Sequence, residues 1–343
     1  MRMKNTELSV RIWLLSLCVM VMAMIAVGGA TRLTGSGLSI VEWKPIMGTI
    51  PPLNLEEWNS AFQKYQEYPQ FKLQNPNMSL GDFKFIFLWE YFHRLLGRMM
   101  GVVFLLPWIY FVARKKIDRS LATKTAIGFF LGGLQGLAGW LMVQSGLVDR
   151  PSVSHFRLAI HLCLAMVILG YLFWVYLAYA SKESAEKIHQ PRSARIHLIF
   201  VDIFFTLQVI YGAFVAGLKA GFIHNTYPTM SGEWFPSAFF ALEPEWTNFF
   251  ENPVAVQFLH RWIAVILLIV AVSLALRFRK EKWSKALAHS LGLQFFLGVM
   301  TLIFNVPLVL AVLHQLGAAA FLMSLVFTHR SFSYRRFRAS SST

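Results

Sequence analysis

Acidic side chains and cysteines are scarce in this chain of 343 residues: 17 Asp and Glu stand against 32 Lys and Arg, with two cysteines. Charged residues of both signs reach only 14%, and 56% of the chain is hydrophobic. That balance excludes an ordinary soluble enzyme, whose surface needs about a quarter of its residues charged. Cys18 and Cys163 both fall inside apolar segments, which favours small packing residues over a disulfide or a metal site.

What is present instead is a series of apolar runs long enough to cross a bilayer, about 20 residues each. Eight are read, at 12–30, 85–113, 125–147, 155–180, 196–218, 255–276, 287–305 and 308–328. The last two are nearly continuous and are divided only by Asn305-Val306-Pro307.

The net charge of +15 would suit nucleic acid, but its distribution argues against that partner. With the N-terminus inside, every inner segment is basic: Arg2, Lys4 and Arg11, then Arg114–Lys124, Lys182–Arg195, Arg277–Lys285 and Arg330–Arg338. The outer segments are near neutral, with Glu42, Glu56, Glu57, Glu233, Glu243 and Glu251 offsetting their few bases. This is the positive-inside pattern, so the basicity reports topology and both termini are expected in the cytoplasm. The first span is longer than a signal-peptide core and lacks a clear cleavage pattern, and the segment before it is not a transit peptide. A multi-pass protein of a bacterial cytoplasmic (inner) membrane is expected.

The chain also repeats itself. Span two carries Phe92-His93-Arg94 and span six Leu259-His260-Arg261; span three has Leu134-Gln135 and Gly139, and span seven Leu293-Gln294 and Gly298. Span four carries His161 and span eight His314, while spans one and five end in Gly28-Gly29-Ala30 and Tyr211-Gly212-Ala213. Four helices per half is an even number, so the halves point the same way, as parallel repeats do. The expected fold is all-α, with eight transmembrane helices in two tandem, parallel-oriented four-helix bundles, residues 1–180 and 181–343. Two long outer loops, 31–84 and 219–254, are rich in aromatics and Pro, and a folded cap is expected there.

His93, His161, His260 and His314 enter the membrane from one side, five to eight residues along spans two, four, six and eight. At 1.5 Å per residue that places them at one depth, about 10 Å below the outer surface. The other six, His155, His189, His197, His224, His289 and His329, read as interfacial polar side chains, His155 with least assurance. One pair per half, with no Cys, Asp or Glu cluster beside it, is too few ligands for a closed zinc site. Two imidazoles across a flat apolar slot are what a six-coordinate haem requires. Arg94 and Arg261, each directly after a ligand, suit haem propionates or snorkel to the interface. Glu90 lies three residues before His93, where the second half has Gln257 before His260. Glu90 is read either as a proton-handling group facing the same slot as His93 or as an ion-pair partner of Arg94 or Arg98.

At these residues the sequence resembles the haem A synthase family, membrane enzymes that convert haem O to haem A for terminal oxidases. The resemblance runs through Gly28–Ser39, Glu42-Trp43-Lys44-Pro45, Glu57-Trp58, Phe83–Arg94, Arg157–Leu162, Asn225–Pro228, Gln257–Arg261 and His314-Gln315. It lacks the cysteine pair that some bacterial members carry in the first outer loop, and so is similar to the branch shared with mitochondrial and alphaproteobacterial-type enzymes. The resemblance implies an oxidoreductase that takes a haem O methyl group to formyl through an alcohol, with oxygen from water or dioxygen. It places the substrate and catalytic site, with Glu90, His93 and His161, in the first half, and a bound haem b on His260 and His314 in the second. Haem O is then the substrate and haem A the product; haem O synthase, a terminal oxidase, a separate redox partner and further copies of the chain are the candidate protein partners. The alternatives are a di-haem b-type electron-transfer cytochrome and a haem carrier, neither of which alters haem.

Overall fold

In a computed structural model, residues 2–42, 47–148, 151–181, 185–187 and 192–336 are described. Each apolar run forms one long helix: α1 (Arg2–Leu33), α4 (Leu80–Ala113), α5 (Arg119–Leu147), α6 (His155–Ala180), α7 (Arg192–Gly217), α9 (Pro253–Arg277), α10 (Lys282–Ile303) and α11 (Leu308–Ser333). Shorter helices α2 (Leu55–Gln66), α3 (Pro69–Gln74) and α8 (Asn248–Glu251) lie between them. All eight long helices are apolar enough to span a membrane, in line with the eight runs read from the sequence.

Local chemistry sets the ends. Ser79 and Asp82 form a reciprocal capping box at the start of α4, which satisfies two backbone donors that a helix otherwise leaves orphaned. Asp118 accepts from Leu121 N at 2.8 Å at the start of α5, and Asn252 accepts from Val254 N at 2.9 Å with Pro253 in the first turn of α9. Between α10 and α11, Asn305 and Val306 both take positive φ (62° and 57°). Two consecutive left-handed residues cannot continue a helix, so the nearly continuous apolar run divides there.

Helices α1, α6, α7 and α11 form the centre: α1 packs on α6 and α11, and α6 on α7 and α11. Helices α4 and α5 close the first half, and α9 and α10 the second. A large apolar core runs along the bundle and reaches Ile25 of α1 and Val209 of α7. It joins Leu14 and Leu17 of α1, Phe104 of α4, Leu169 and Leu172 of α6, Val201 of α7, Leu274 of α9, Leu287 of α10 and Phe321 of α11. In lipid such packing stabilises through dispersion rather than release of water. Helices α7 and α11 are further tied by Asp202 and His329, 2.9 Å apart, and by an edge-on contact of Phe205 with Phe321. At the terminus end, strands β1 (Ala185–Lys187) and β2 (Tyr334–Arg336) pair antiparallel.

At the opposite end the two long loops are folded. Helix α2 packs on the first turns of α4 and α3 on α2 and α5, and there Tyr65 and Phe83 are fully buried with Trp58, Phe62 and Phe71 around them. The Tyr65 hydroxyl donates to Gln70 at 3.1 Å and accepts from Asn75 at 2.8 Å, and Gln70 donates to the Gly35 carbonyl at 2.8 Å. Burial, with Glu90 nearby, pushes the Tyr65 phenol above its ordinary pKa.

The two halves meet closely at Gly217, the last residue of α7. A Cβ there would lie 2.4 Å from His155 Cβ and 2.8 Å from its Cα. Backbone cannot yield as a flexible tip can, so Gly217→Ala is expected to cost about 1–3 kcal/mol. Thermal unfolding in detergent checks this; an unchanged midpoint would mean that α6 and α7 shift apart freely.

Candidate functional site

All four sequence-selected histidines lie at the end of the bundle opposite the termini, outside the large apolar core. His161, His260 and His314 follow the first residues of α6, α9 and α11 by six or seven positions. His93 is thirteen positions into α4 because that helix starts earlier, in the folded loop. His93 is within Coulombic reach of His161, and His260 of His314. The pairs are therefore one per half, as the repeat suggested.

Each ring rests on a glycine of a neighbouring helix. A Cβ at Gly28 would lie 3.0 Å from His93 Cε1, at Gly139 2.9 Å from His161 Cε1, at Gly212 3.2 Å from His260 Cε1 and at Gly298 2.8 Å from His314 Cε1. A methyl group at any of these would press on an imidazole, so the glycines are what lets the rings lie flat against α1, α5, α7 and α10. Gly29, the next residue of α1, faces the other half: its Cβ would fall 2.1 Å from Gln315 Oε1. Helix α1 thus serves both halves with two adjacent glycines.

The polar surroundings of the rings are sparse. Nδ1 of His93, His161 and His260 is buried without a hydrogen-bond partner. His314 Nδ1 donates to the Gln294 carbonyl at 3.2 Å. Among the described residues, no group of three or more His, Cys, Asp or Glu could hold a metal ion. Paired imidazoles on glycine-cleared helix faces in an apolar setting fit a planar macrocycle that brings most of its own metal ligands. On that chemistry the residues present fit a haem.

The arginines and Glu90 do something the sequence left open. Glu90 is buried, and its carboxylate accepts from Ser39 Oγ at 2.7 Å, from Ile40 N at 2.8 Å and from Arg94 Nη2 at 2.5 Å. Arg94 also donates to the Ile40 carbonyl at 2.9 Å. Of the two readings of Glu90, the ion pair with Arg94 is formed, and it ties segment 39–40 to α4. In the second half Gln257 donates to the His224 carbonyl at 3.1 Å. Arg261 donates to the carbonyls of His224 and Thr226, both at 2.7 Å. The geometry repeats, but the charge does not: Arg94 has a carboxylate partner, and Arg261 is held by carbonyls.

The remaining histidines have other partners. His155 is buried against Phe214 and lies 3.8 Å from Glu251. His197 contacts the Val270 carbonyl at 2.9 Å, His224 Nδ1 lies 2.8 Å from Ser231 Oγ, and His289 Nδ1 donates to the Lys285 carbonyl at 2.6 Å. His189, like Trp43, Lys44 and Pro45 of the first-loop motif, lies outside the described residues. Cys18 and Cys163 are both free.

Sequence reasoning missed Gln208, which stands four residues before Gly212 and brings its amide nitrogen within 3.2 Å of His260 Nε2. Comparing helix pairs with one another, rather than halves, would have exposed the shared spacing.

The chain is similar over nearly its full length to proteins named heme A synthase. That of Nitrosomonas eutropha is 44% identical over 339 residues, covering 96% of this chain and 95% of the relative. That of Flavobacterium psychrophilum is 43% identical over 345 residues, with 96% and 100% covered, and that of Paracoccus denitrificans 42% over 343, with 95% and 88% covered. Residues 11–326 match the family model COX15-CtaA, described as cytochrome oxidase assembly protein. The chain belongs to the COX15-CtaA family of cytochrome oxidase assembly proteins.

Proposed function

We propose that this protein is a haem A synthase, which oxidises a methyl group of haem O to the formyl group of haem A through an alcohol stage. The observation that carries the reading is the fourfold arrangement of imidazoles on glycines, two in each half, in a chain 42–44% identical to the three relatives so named. His93 and His161 of residues 1–180 would hold the substrate haem, and His260 and His314 of residues 181–343 a resident haem b. Bound there, the haem iron supplies redox chemistry that no side chain of the protein has.

The protein's own part is binding, orientation and charge. The glycine cradles set the planes of the imidazoles. Arg94 and Arg261, at the far end of the bundle beside each pair, suit the carboxylates of a bound haem. Glu90 makes the first half differ from the second: its negative charge stabilises positive charge developing at the substrate and accepts a proton released there, which Gln257 cannot do. The basic segments at the terminus end support an orientation with both termini in the cytoplasm and the histidines toward the outer face of a bacterial inner membrane. The redox partner would then exchange electrons with the second-half haem.

A di-haem electron-transfer cytochrome is the rival. Such a protein gains from ligands at two depths, whereas here all four lie at one end of the bundle, and only one half carries a carboxylate. Mass analysis of the haems extracted from purified protein separates the readings. Haem O together with its hydroxylated or formyl derivative is the expected result; haem B alone would sink the catalytic one.

A further inference from the structure

The carboxylates of a haem need cations, and the two arginines that follow a histidine are largely engaged by the protein itself. Arg94 is committed to Glu90 and the Ile40 carbonyl, and Arg261 to the carbonyls of His224 and Thr226. Arg32 is differently placed. It stands on α1 four residues beyond Gly28, one turn past the cradle of His93 and on the same face. Its neighbour Thr31 lies 3.4 Å from the carbonyl of Trp89, which is four residues before His93. Arg32 is therefore about one turn from the His93 ring, toward the end of the bundle opposite the termini. The residue is half-buried, and its guanidinium makes no hydrogen bond or ion pair among the described residues. The last turn of a helix suits a cation, but the helix dipole satisfies none of the five N–H donors.

A second arginine stands at the same level beside the other ring. Arg157 is four residues before His161 on α6, again one turn from the imidazole on the side away from the termini. Its Nη1 donates to the Leu141 carbonyl at 2.5 Å. That bond holds its head against α5 two residues beyond Gly139, the cradle of His161, and uses one of five donors. The second half has neither arginine. Four residues beyond Gly212 is Ala216, and four before His314 is Leu310. The repeat keeps the histidines, the glycines beneath them and the arginine after the first histidine of each pair. Cations at this level, like Glu90, are what it does not keep.

We propose that Arg32 and Arg157 hold the two carboxylates of the haem bound between His93 and His161, and so make the first half a site that recognises its haem by those groups. This rests on the reading of the histidines as haem ligands. A guanidinium presents a planar fork of donors that matches a carboxylate, and such charge-assisted pairs are the stronger kind of hydrogen bond. An apolar slot with two imidazoles would take a porphyrin with blocked carboxylates as readily as a haem; a pair of cations would not. A haem that arrives as substrate has to be selected and seated in one orientation, and fixing its carboxylates at one end of the bundle does both.

The test uses full-length protein that keeps its second-half haem and has been freed of first-half haem. It is titrated with haemin and with haemin dimethyl ester, whose carboxylates are blocked. The wild type should bind haemin about 10–100-fold more tightly than the ester, the range for hydrogen bonds to charged groups. Arg32→Gln and Arg157→Gln should each weaken haemin binding about tenfold and leave ester binding unchanged. Arg32→Lys keeps the charge without the fork and should lose less. Equal affinity of the wild type for the two probes, or variants that weaken both alike, overturns the inference. The second-half haem spectrum reports folding; should Arg32→Gln lose it, Arg32→Lys and Arg157→Gln carry the comparison. If His93→Ala and His161→Ala bind haemin as the wild type does, the ligand reading itself has failed. If they lose both probes while the arginine variants match the wild type, only the carboxylate contact has.

Discussion

Replacing His260 with alanine should remove the haem b signal of the second half completely. Its ring is one of the two that would hold that haem, and it sits against Gly212. An alanine there would leave His314 as the one imidazole of the pair to hold the haem. His314→Ala should act in the same way, since the site is a pair. The measurement is the reduced-minus-oxidised spectrum of purified protein, with first-half haem followed by mass analysis. Retention of the full wild-type spectrum in His260→Ala would refute the assignment. Gly298→Ala offers a graded version, because its Cβ would press on His314 Cε1 at 2.8 Å. A weaker or shifted signal, short of total loss, is expected there.

The second large effect is expected at Glu90. Glu90→Gln should leave the second-half haem spectrum intact and lower conversion of haem O by about 10²–10⁴-fold, the range for loss of a positioned acid–base group. The structure makes this substitution harsher than the sequence alone implied. The carboxylate receives three donors, from Ser39, Ile40 and Arg94, and an amide nitrogen in that place would confront donors with a donor. Breaking one partner of a buried ion pair can itself cost about 3–5 kcal/mol, so haem content must be measured beside product. Ser39→Ala removes one donor and keeps the charge; it should retain activity within about tenfold, in keeping with a single hydrogen bond to a charged group. Glu90→Gln that still produces haem A at the wild-type rate would end the proton and charge role. Ser39→Ala as inactive as Glu90→Gln would show that the position of segment 39–40, not the carboxylate, is what matters.

Much of this site was legible before any coordinates. Hydropathy alone marks eight spans, because a segment without water must satisfy its backbone within one helix, and the structure moves their ends by up to ten residues, at the start of α1. Four histidines in register on alternate spans stood out because ionisable groups inside a membrane are rare and costly. Gly139 and Gly298 were visible as repeated residues, but packing and cofactor clearance could not be told apart, since both use the same small side chain. The role of Glu90 was open for a related reason. Helical spacing puts residues 90 and 93 on one face and residues 90 and 94 on nearly the same one, so the pattern permits both a slot-facing acid and an ion pair.

By itself, then, the sequence determined the number of spans and the duplicated pattern, and set the expected alternation of the spans and depth of the four imidazoles, all of which follow from one-dimensional periodicity and the energetics of a bilayer. Only the tertiary structure decided that each of the four histidines rests on a glycine of a neighbouring helix and that Glu90 turns to Ser39, Ile40 and Arg94. Those are contacts between helices far apart in the chain. No spacing along a single helix encodes the rotation and approach of its neighbours; interhelical packing does, at distances where one methyl group matters.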